Sequence, residues 1–153
     1  AAGFTLRAAA LTEFRAFLVE HIDKQLGGQK LVPGLDLDGA LAPSAATPEL
    51  VRVLDQAGPF GAGNPRPRFA FPAIRIAYAE VTAGNGGHIR LRIAAGDGGK
   101  PVKAMAFRAA GTPLGEALLT SSGATLHLAG HLQRNTWQGA NGVDLVIEDA
   151  AKA

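Results

Sequence analysis

The sequence has no cysteine, a single methionine and only 18% charged residues. The lack of cysteine excludes disulfides, thiolate zinc sites and cysteine nucleophiles, and it favours a reducing, cytoplasmic location. Charged residues or glycines interrupt every apolar run well before the roughly 20 residues of a membrane-spanning helix, and no secretory leader is visible. The apolar share of 47% is enough to build a core, and with no spanning run we expect a soluble globular protein with no membrane partner.

Basic side chains are concentrated in the middle of the chain. Residues 61–134 carry nine Lys and Arg against three Asp and Glu, a net charge of +6. Residues 1–60 carry five basic and seven acidic side chains, and residues 135–153 carry one basic and three acidic side chains. Each outer segment therefore has a net charge of −2, and the whole chain has a net charge of +2. Most of the basic block is arginine, which binds phosphates and stacks on bases. The block is typical of a nucleic-acid surface, and also of a solvated basic face.

The first part of the sequence predicts two helices and a short strand. Apolar residues three or four apart predict an amphipathic helix over residues 8–26, which Gly27-Gly28 would end. Residues 35–38 alternate Leu and Asp, which predicts a strand. Thr47-Pro48-Glu49 supplies a helix N-cap, a proline at the first helical position and an acid in the first turn, so a second helix should run to about Ala57.

Residues 58–67 cannot form a helix or an ordinary strand, since seven of the ten are Gly, Pro or Asn. We interpret this segment as a rigid joint between two structural units, because its prolines restrict the backbone while its glycines allow positive φ. Alternatively, the backbone N–H groups of this segment contact DNA. The joint residues are Pro59, Phe60, Gly61, Gly63, Asn64 and Pro65.

Beyond the joint the pattern becomes that of strands. Five are predicted, over residues 69–82, 88–93, 102–107, 125–133 and 143–147. Thr112-Pro113 caps a short helix that runs through Leu119 and lies between the third and fourth strands. This order predicts an α+β chain whose second part is an OB-fold, a five-stranded barrel that commonly binds single-stranded nucleic acid on its second and third strands. An SH3-like barrel is the alternative.

The outward faces of the second and third barrel strands are the candidate binding surface. Strict alternation directs Arg90 and Arg92 outward, and Lys103 shares one face of the next strand with Phe107. Arginines there would neutralise phosphates and a ring would stack on a base, although burial in the core is the favoured position for Phe107. Trp137 is either a stacking platform or a lid over the barrel end. The predicted DNA-binding residues are Arg75, Arg90, Arg92, Lys103, Phe107, Arg108 and Trp137.

No catalytic or metal site is predicted in this chain. His127 and His131 are four residues apart on a predicted strand, which is a span of about 13 Å and too far for one ion. Asp36-Leu37-Asp38-Gly39 lacks the further acidic ligands of a calcium loop.

Residues 59–65, Pro-Phe-Gly-Ala-Gly-Asn-Pro, resemble the Pro-Phe-Gly-x-Gly-Asn-Pro segment of RecJ, a family of single-strand-specific DNA exonucleases. Residues 102–107 are similar to the family's Lys-Ala-x-Ala-Phe strand, and residues 135–139 and 143–149 to its closing hairpin. Ala1-Ala2-Gly3-Phe4 is similar to the tail of the Gly-Gly-His-x-x-Ala-Ala-Gly motif of the DHHA1 domain. The resemblance covers nearly the whole chain, with one departure at Arg66, where the family more often has an acid.

The resemblance implies the C-terminal part of a 5′ to 3′ single-stranded-DNA exonuclease of DNA repair and recombination. Residues 1–30 would end a DHHA1 domain, residues 31–68 would be a linker with a strand, a helix and the joint, and residues 69–150 would form the OB-fold. The only methionine is Met105, so we expect a piece of a longer protein or a processed product. Manganese or magnesium would be held by an Asp-His-His (DHH) domain upstream, and this fragment alone would be inactive.

Single-stranded DNA, the DHH/DHHA1 core of the same protein and single-strand-binding protein are the implied partners. The alternative is that the barrel is a protein-interaction and spacing module with little affinity of its own for DNA.

Overall fold

The computed structural model of the chain describes residues 3–29, 34–82, 86–94, 101–121, 123–135 and 142–153. These residues divide into two compact units, Ala1–Leu35 and Asp36–Ala153.

The first unit contains one helix, α1 (Leu11–Leu26), preceded by a 3-10 turn at Ala8–Ala10. Gly27 ends α1 in the left-handed conformation with φ 59°, so both the predicted helix and its stop are confirmed. Phe4 and Phe14 meet edge to face, with 4.7 Å between ring centroids. None of the residues of α1, all of which the structure describes, is fully buried. Among the described residues, no helix is long and apolar enough to cross a membrane.

The second unit is a five-stranded barrel with a short added strand. The strands are β1 (Gly39–Ala40), β2 (Phe69–Val81), β3 (Ile89–Ile93), β4 (Val102–Ala106), β5 (Thr125–Asn135) and β6 (Gly142–Lys152). Their order is β1-β2-β3-β4-β6-β5, and β2 also pairs with β5, which closes the barrel. The β4–β6 pair is parallel and the other barrel pairs are antiparallel. All five predicted barrel strands are confirmed.

Strand β2 closes the barrel because it bends. Its first half pairs with β5, from Phe69 opposite Gly130 to Arg75 opposite Thr125, and its second half pairs with β3. The register with β5 shifts between Phe71 and Ile74, where Ala73 has a φ of 54°. A bulge at this point increases the local twist, so one strand can serve two neighbours.

Two capped helices pack on the barrel. In α2 (Pro48–Asp55) the Thr47 hydroxyl accepts a hydrogen bond from the Leu50 backbone N–H, and in α3 (Pro113–Thr120) Thr112 accepts one from Gly115. Both helices begin where the Thr-Pro pairs predicted. The two helices help to cover a core whose largest fully buried side chains are aliphatic, apart from the phenyl ring of Phe71. These side chains are those of Val51, Phe71, Ile76, Ile89, Leu91, Ile93, Leu118, Leu128, Leu132 and Leu145.

The segment before α2 differs from the prediction. Residues 35–38 are not a strand; the strand is instead Gly39–Ala40, which pairs in parallel with Phe69 and Ala70. Leu37 is exposed, so the Leu-Asp alternation does not match one buried face. Pairing starts at Asp38, whose N–H donates to the Arg68 carbonyl at 2.8 Å and whose carboxylate accepts from the Arg68 N–H at 2.9 Å.

Candidate nucleic-acid interface

An open groove of about 790 Å³ lies on the outer face of the barrel. Strands β2, β3 and β4 form one part of it, and the facing ends of β5 and β6 form the other. The groove is lined by Tyr78, Arg90, Leu91, Arg92, Lys103, Ala104, Met105, Phe107, Gln133, Asn135 and Asp144. Four of the predicted DNA-binding residues therefore share one surface: Arg90, Arg92, Lys103 and Phe107.

A second register shift, at Ala77, brings Tyr78 into this groove. Ile76 lies opposite Ile93 and Tyr78 lies opposite Arg92, so Ala77 is the extra residue of a β-bulge. Uninterrupted alternation from the buried Ile74 and Ile76 would direct position 78 into the core, but the bulge turns it outward and leaves Tyr78 46% exposed. Tyr78 was not among the predicted binding residues, because no local signal in the sequence marks the bulge.

A row of paired positions crosses the groove. Tyr78 lies opposite Arg92, Arg92 opposite Lys103, Lys103 opposite Asp144, and Asp144 opposite Gln133. Asp144 accepts a hydrogen bond from Asn135 Nδ2 at 2.9 Å. Arg92 and Lys103 form no ion pair within the described part of the chain. These two cations lie opposite each other at the centre of the row.

Glu80 binds the third cation of the groove. Its carboxylate accepts hydrogen bonds from the Arg90 guanidinium, which forms an ion pair with it, and from the Tyr78 hydroxyl. The hydrogen bond from Tyr78 and then that from Arg90 hold the pKa of Glu80 below its ordinary value. The same bond to Glu80 is the main reason that the pKa of Tyr78 is raised.

Phe107 directly follows β4 and is 50% exposed, so the prediction that favoured the core for this ring is wrong. Lys103, Met105 and Phe107 do share the outward face, as alternation predicted. The His88 ring packs edge-on against Phe107, with 5.1 Å between ring centroids, and His88 Nδ1 accepts a hydrogen bond from the Arg108 N–H at 2.9 Å. These contacts fix the turn after β4 and hold the phenyl ring at the surface.

The other predicted binding residues are placed differently. Arg75 lines a separate groove of about 480 Å³ beside β1 and the bulge at Ala73, so the structure does not bring it together with Arg92. Arg108 is exposed next to Phe107 without lining the main groove. Trp137 lies outside the described residues. The DNA contacts of these three residues, like those of the four in the groove, remain predictions.

The predicted joint forms a tight turn attached to the end of α2. Gly61 and Asn64 exchange two backbone hydrogen bonds, of 2.8 and 3.2 Å. Asn64 Nδ2 donates to the carbonyls of Ala57, at 3.0 Å, and Pro59, at 3.1 Å. Asn64 therefore ties the turn to the backbone of the segment that directly follows α2. This turn belongs to the same compact unit as the barrel, and its role in orienting another domain stays a prediction.

Arg66 stabilises the same turn. Its Nη1 lies 3.2 Å from Asp55 Oδ1, and its guanidinium carbon lies 4.8 Å from the centre of the Phe60 ring. A cation over an aromatic face is attractive. The guanidinium of Arg66 thus interacts with the Asp55 carboxylate and with the Phe60 ring.

The two histidines that are too far apart along β5 to share one ion have other partners. His127 Nδ1 accepts from the Ala73 N–H at 3.2 Å, and His131 Nδ1 lies 2.7 Å from Glu148 Oε1. Glu148 also binds Arg68 Nε, at 2.7 Å. Within the described ranges, no three His, Asp or Glu side chains come together in a way that could hold a metal ion.

Comparison with known proteins identifies the family of the barrel. The family model for the RecJ OB domain matches residues 37–149. The chain belongs to the RecJ OB domain family. This confirms the family that residues 59–65 predicted and the OB-fold that the strand order predicted, so the SH3-like alternative is excluded.

Solved RecJ structures match almost the entire chain. RecJ from Thermus thermophilus in complex with Mn²⁺ is 26% identical, with a TM-score of 0.66 over 99% of this chain. The Mg²⁺ complex of RecJ from the same organism is 25% identical, with a TM-score of 0.64 over the same share. The match covers only 20% and 21% of those two chains, so this chain spans about one fifth of their length. No curated protein matches it.

Proposed function

We propose that the groove lined by Tyr78, Arg92, Lys103 and Phe107 binds single-stranded DNA. The observation that carries this proposal is the combination, in one groove of an OB-fold, of two cations without ion pairs among the described residues and two exposed rings. The cations would neutralise phosphates, and the rings offer flat faces on which unpaired bases stack. Since every base has such a face, this surface would favour single strands without reading their sequence.

We further propose that this module serves a RecJ-like 5′ to 3′ exonuclease of DNA repair and recombination in the cytoplasm. The RecJ relatives were solved with Mn²⁺ or Mg²⁺. The described residues of this chain do not fit such an ion, because no cluster of ligands forms among them. Hydrolysis would then belong to a DHH domain outside this chain, and residues 1–30 to a DHHA1 domain beside it. The barrel would hold the strand and leave its cleavage to that core.

The test is a titration of the full chain with a fluorescently labelled oligothymidylate at ~50 and ~200 mM salt. Wild type should bind weakly and should lose affinity as salt rises, because cations released from the strand drive binding. The Arg92→Ala/Lys103→Ala double variant should bind less tightly, and its salt slope should fall by about 0.7 for each phosphate that it no longer neutralises.

A matched control removes two positive charges elsewhere in the same unit. Arg52 and Lys152 are exposed and neither lines the groove, so Arg52→Ala/Lys152→Ala should leave most of the affinity in place. Arg75→Ala should also have a small effect, since Arg75 lies in the other groove. Equal losses in the two double variants, each of which removes two positive charges, would indicate non-specific attraction. An absence of binding at low salt would favour the alternative function, a protein-interaction and spacing module.

A further inference from the structure

Glu80 is an acidic residue that contacts two groove residues, Tyr78 and Arg90, without itself lining the groove. It lies on β2 directly opposite Arg90 on β3, and the two side chains form an ion pair. The Tyr78 hydroxyl donates to the same carboxylate. One carboxylate therefore engages one of the three cations of the groove and one of its two exposed rings.

The ion pair is exposed enough to exchange partners. The Arg90 side chain is 60% exposed and that of Glu80 is 33% exposed. Exposed pairs of this kind contribute little to stability, whereas a phosphate offers the same guanidinium at least as many acceptor oxygens. Arg90 can thus move from Glu80 to a phosphate without the loss of a buried contact.

We infer that Glu80 occupies the place of a phosphate on Arg90, and that it limits the affinity of the groove by competing with the DNA backbone. This inference rests on the proposed function. Binding would replace the bond between Glu80 and Arg90 by one between a backbone phosphate and Arg90, and would leave the Glu80 carboxylate close to the strand. Both effects reduce affinity, one by competition and the other by repulsion between like charges.

Weak binding has a use in a module that holds a strand while that strand moves. Arg92 and Lys103 are without ion pairs in the described part of the chain and supply constant attraction, whereas Arg90 must exchange one anion for another at each step. Glu80 would therefore favour release of the phosphate at Arg90 as the strand advances.

Glu80→Gln is the decisive variant, because glutamine keeps the size and the acceptor oxygen of glutamate while removing its charge. In the full chain we expect it to bind the labelled oligothymidylate about two- to fivefold more tightly than wild type, the range set by breaking an exposed ion pair. Glu116→Gln is the control, since Glu116 is an exposed acid on α3 in the same unit and does not line the groove. It should leave the affinity unchanged.

The gain must depend on Arg90. In the Arg90→Ala background, Glu80→Gln should recover only the part of the gain that comes from repulsion, so a double-mutant cycle should show positive coupling between the two positions. The inference is wrong if Glu80→Gln binds no better than wild type, or if its gain is the same with and without Arg90. The proposed function itself fails separately, if Arg92→Ala/Lys103→Ala does not weaken wild-type binding.

Discussion

Tyr78 lies directly opposite Arg92, although Ile76, only two residues earlier, lies opposite Ile93. The bulge at Ala77 is thus what brings the Tyr78 ring into the groove, and the paired positions place that ring beside Arg92, which has no ion pair in the described residues. An aromatic face next to a guanidinium suits a nucleotide, because the base can stack while the phosphate is neutralised.

Replacing Tyr78 by alanine should reduce affinity for oligothymidylate by about 1–3 kcal/mol, the usual contribution of one stacked base. Tyr78→Phe keeps the ring and should keep most of the affinity. Fluorescence anisotropy measures both, and circular dichroism should show an unchanged fold, since Tyr78 is outside the buried core. Phe17→Ala, which removes an exposed ring from α1, is the control. Stacking on Tyr78 is ruled out if Tyr78→Ala and Phe17→Ala bind alike.

Local patterns predicted much of this fold. Two Thr-Pro pairs gave the starts of α2 and α3, and the alternation of residues 89–93 gave the buried and exposed faces of β3 correctly. These features depend on residues within a few positions of each other, so a single sequence contains the necessary signal.

Features that depend on distant partners could not be predicted in this way. The bulge at Ala77 is defined by the register with β3, and Phe107 is exposed because β4 ends at Ala106 and a turn tied to His88 follows. Arg75 is separated from Arg92 because β2 exchanges one neighbour for another along its length. Composition places all these residues in a basic region, but only strand pairing decides which of them share a groove.

Gly130 lies where the register of β5 with β6 shifts by one residue. A Cβ atom at this position would be 1.9 Å from the Val146 carbonyl oxygen, so alanine cannot fit unless the backbone moves. We expect Gly130→Ala to lower the free energy of unfolding by on the order of 1–3 kcal/mol, as overpacking does. Urea unfolding followed by circular dichroism measures this. Gly61→Ala has open space around the added methyl and should change stability by less than about 0.5 kcal/mol. Similar midpoints for the two variants would contradict the prediction.

Asn64 fastens the turn after α2 through its two side-chain bonds to backbone carbonyls. Asn64→Ala should therefore destabilise the second unit by about 0.5–1.5 kcal/mol, and Asn64→Asp should do so at least as much, because a carboxylate cannot donate to a carbonyl. Asn64→Gln keeps the donors on a longer side chain and should fall between wild type and alanine. The measurement is again the urea midpoint. If aspartate were as stable as asparagine, the donated bonds would not be what holds the turn.

Glu148 joins β6 to β5 and to the start of β2, through His131 and Arg68. Its partial burial acts to raise the pKa of its carboxyl, but hydrogen bonds from His131 and Arg68 outweigh burial, and the pKa lies below the ordinary value of 4.5. A lowered folded-state pKa means that the contribution of Glu148 to stability is fully present above pH 4.5 and is lost as the pH falls through the lower folded value.

We therefore expect Glu148→Gln to be less stable than wild type at neutral pH by on the order of 1 kcal/mol, since its hydrogen bonds are charge-assisted but partly exposed. The difference should shrink as the pH falls below about 4.5, because wild type then loses the charge that the variant already lacks. Thermal unfolding across the acid range measures both curves. Glu116→Gln removes an exposed acid that has no ion pair in the described residues, and its curve should run parallel to that of wild type. A parallel curve for Glu148→Gln would mean that the charge of Glu148 does not stabilise the barrel.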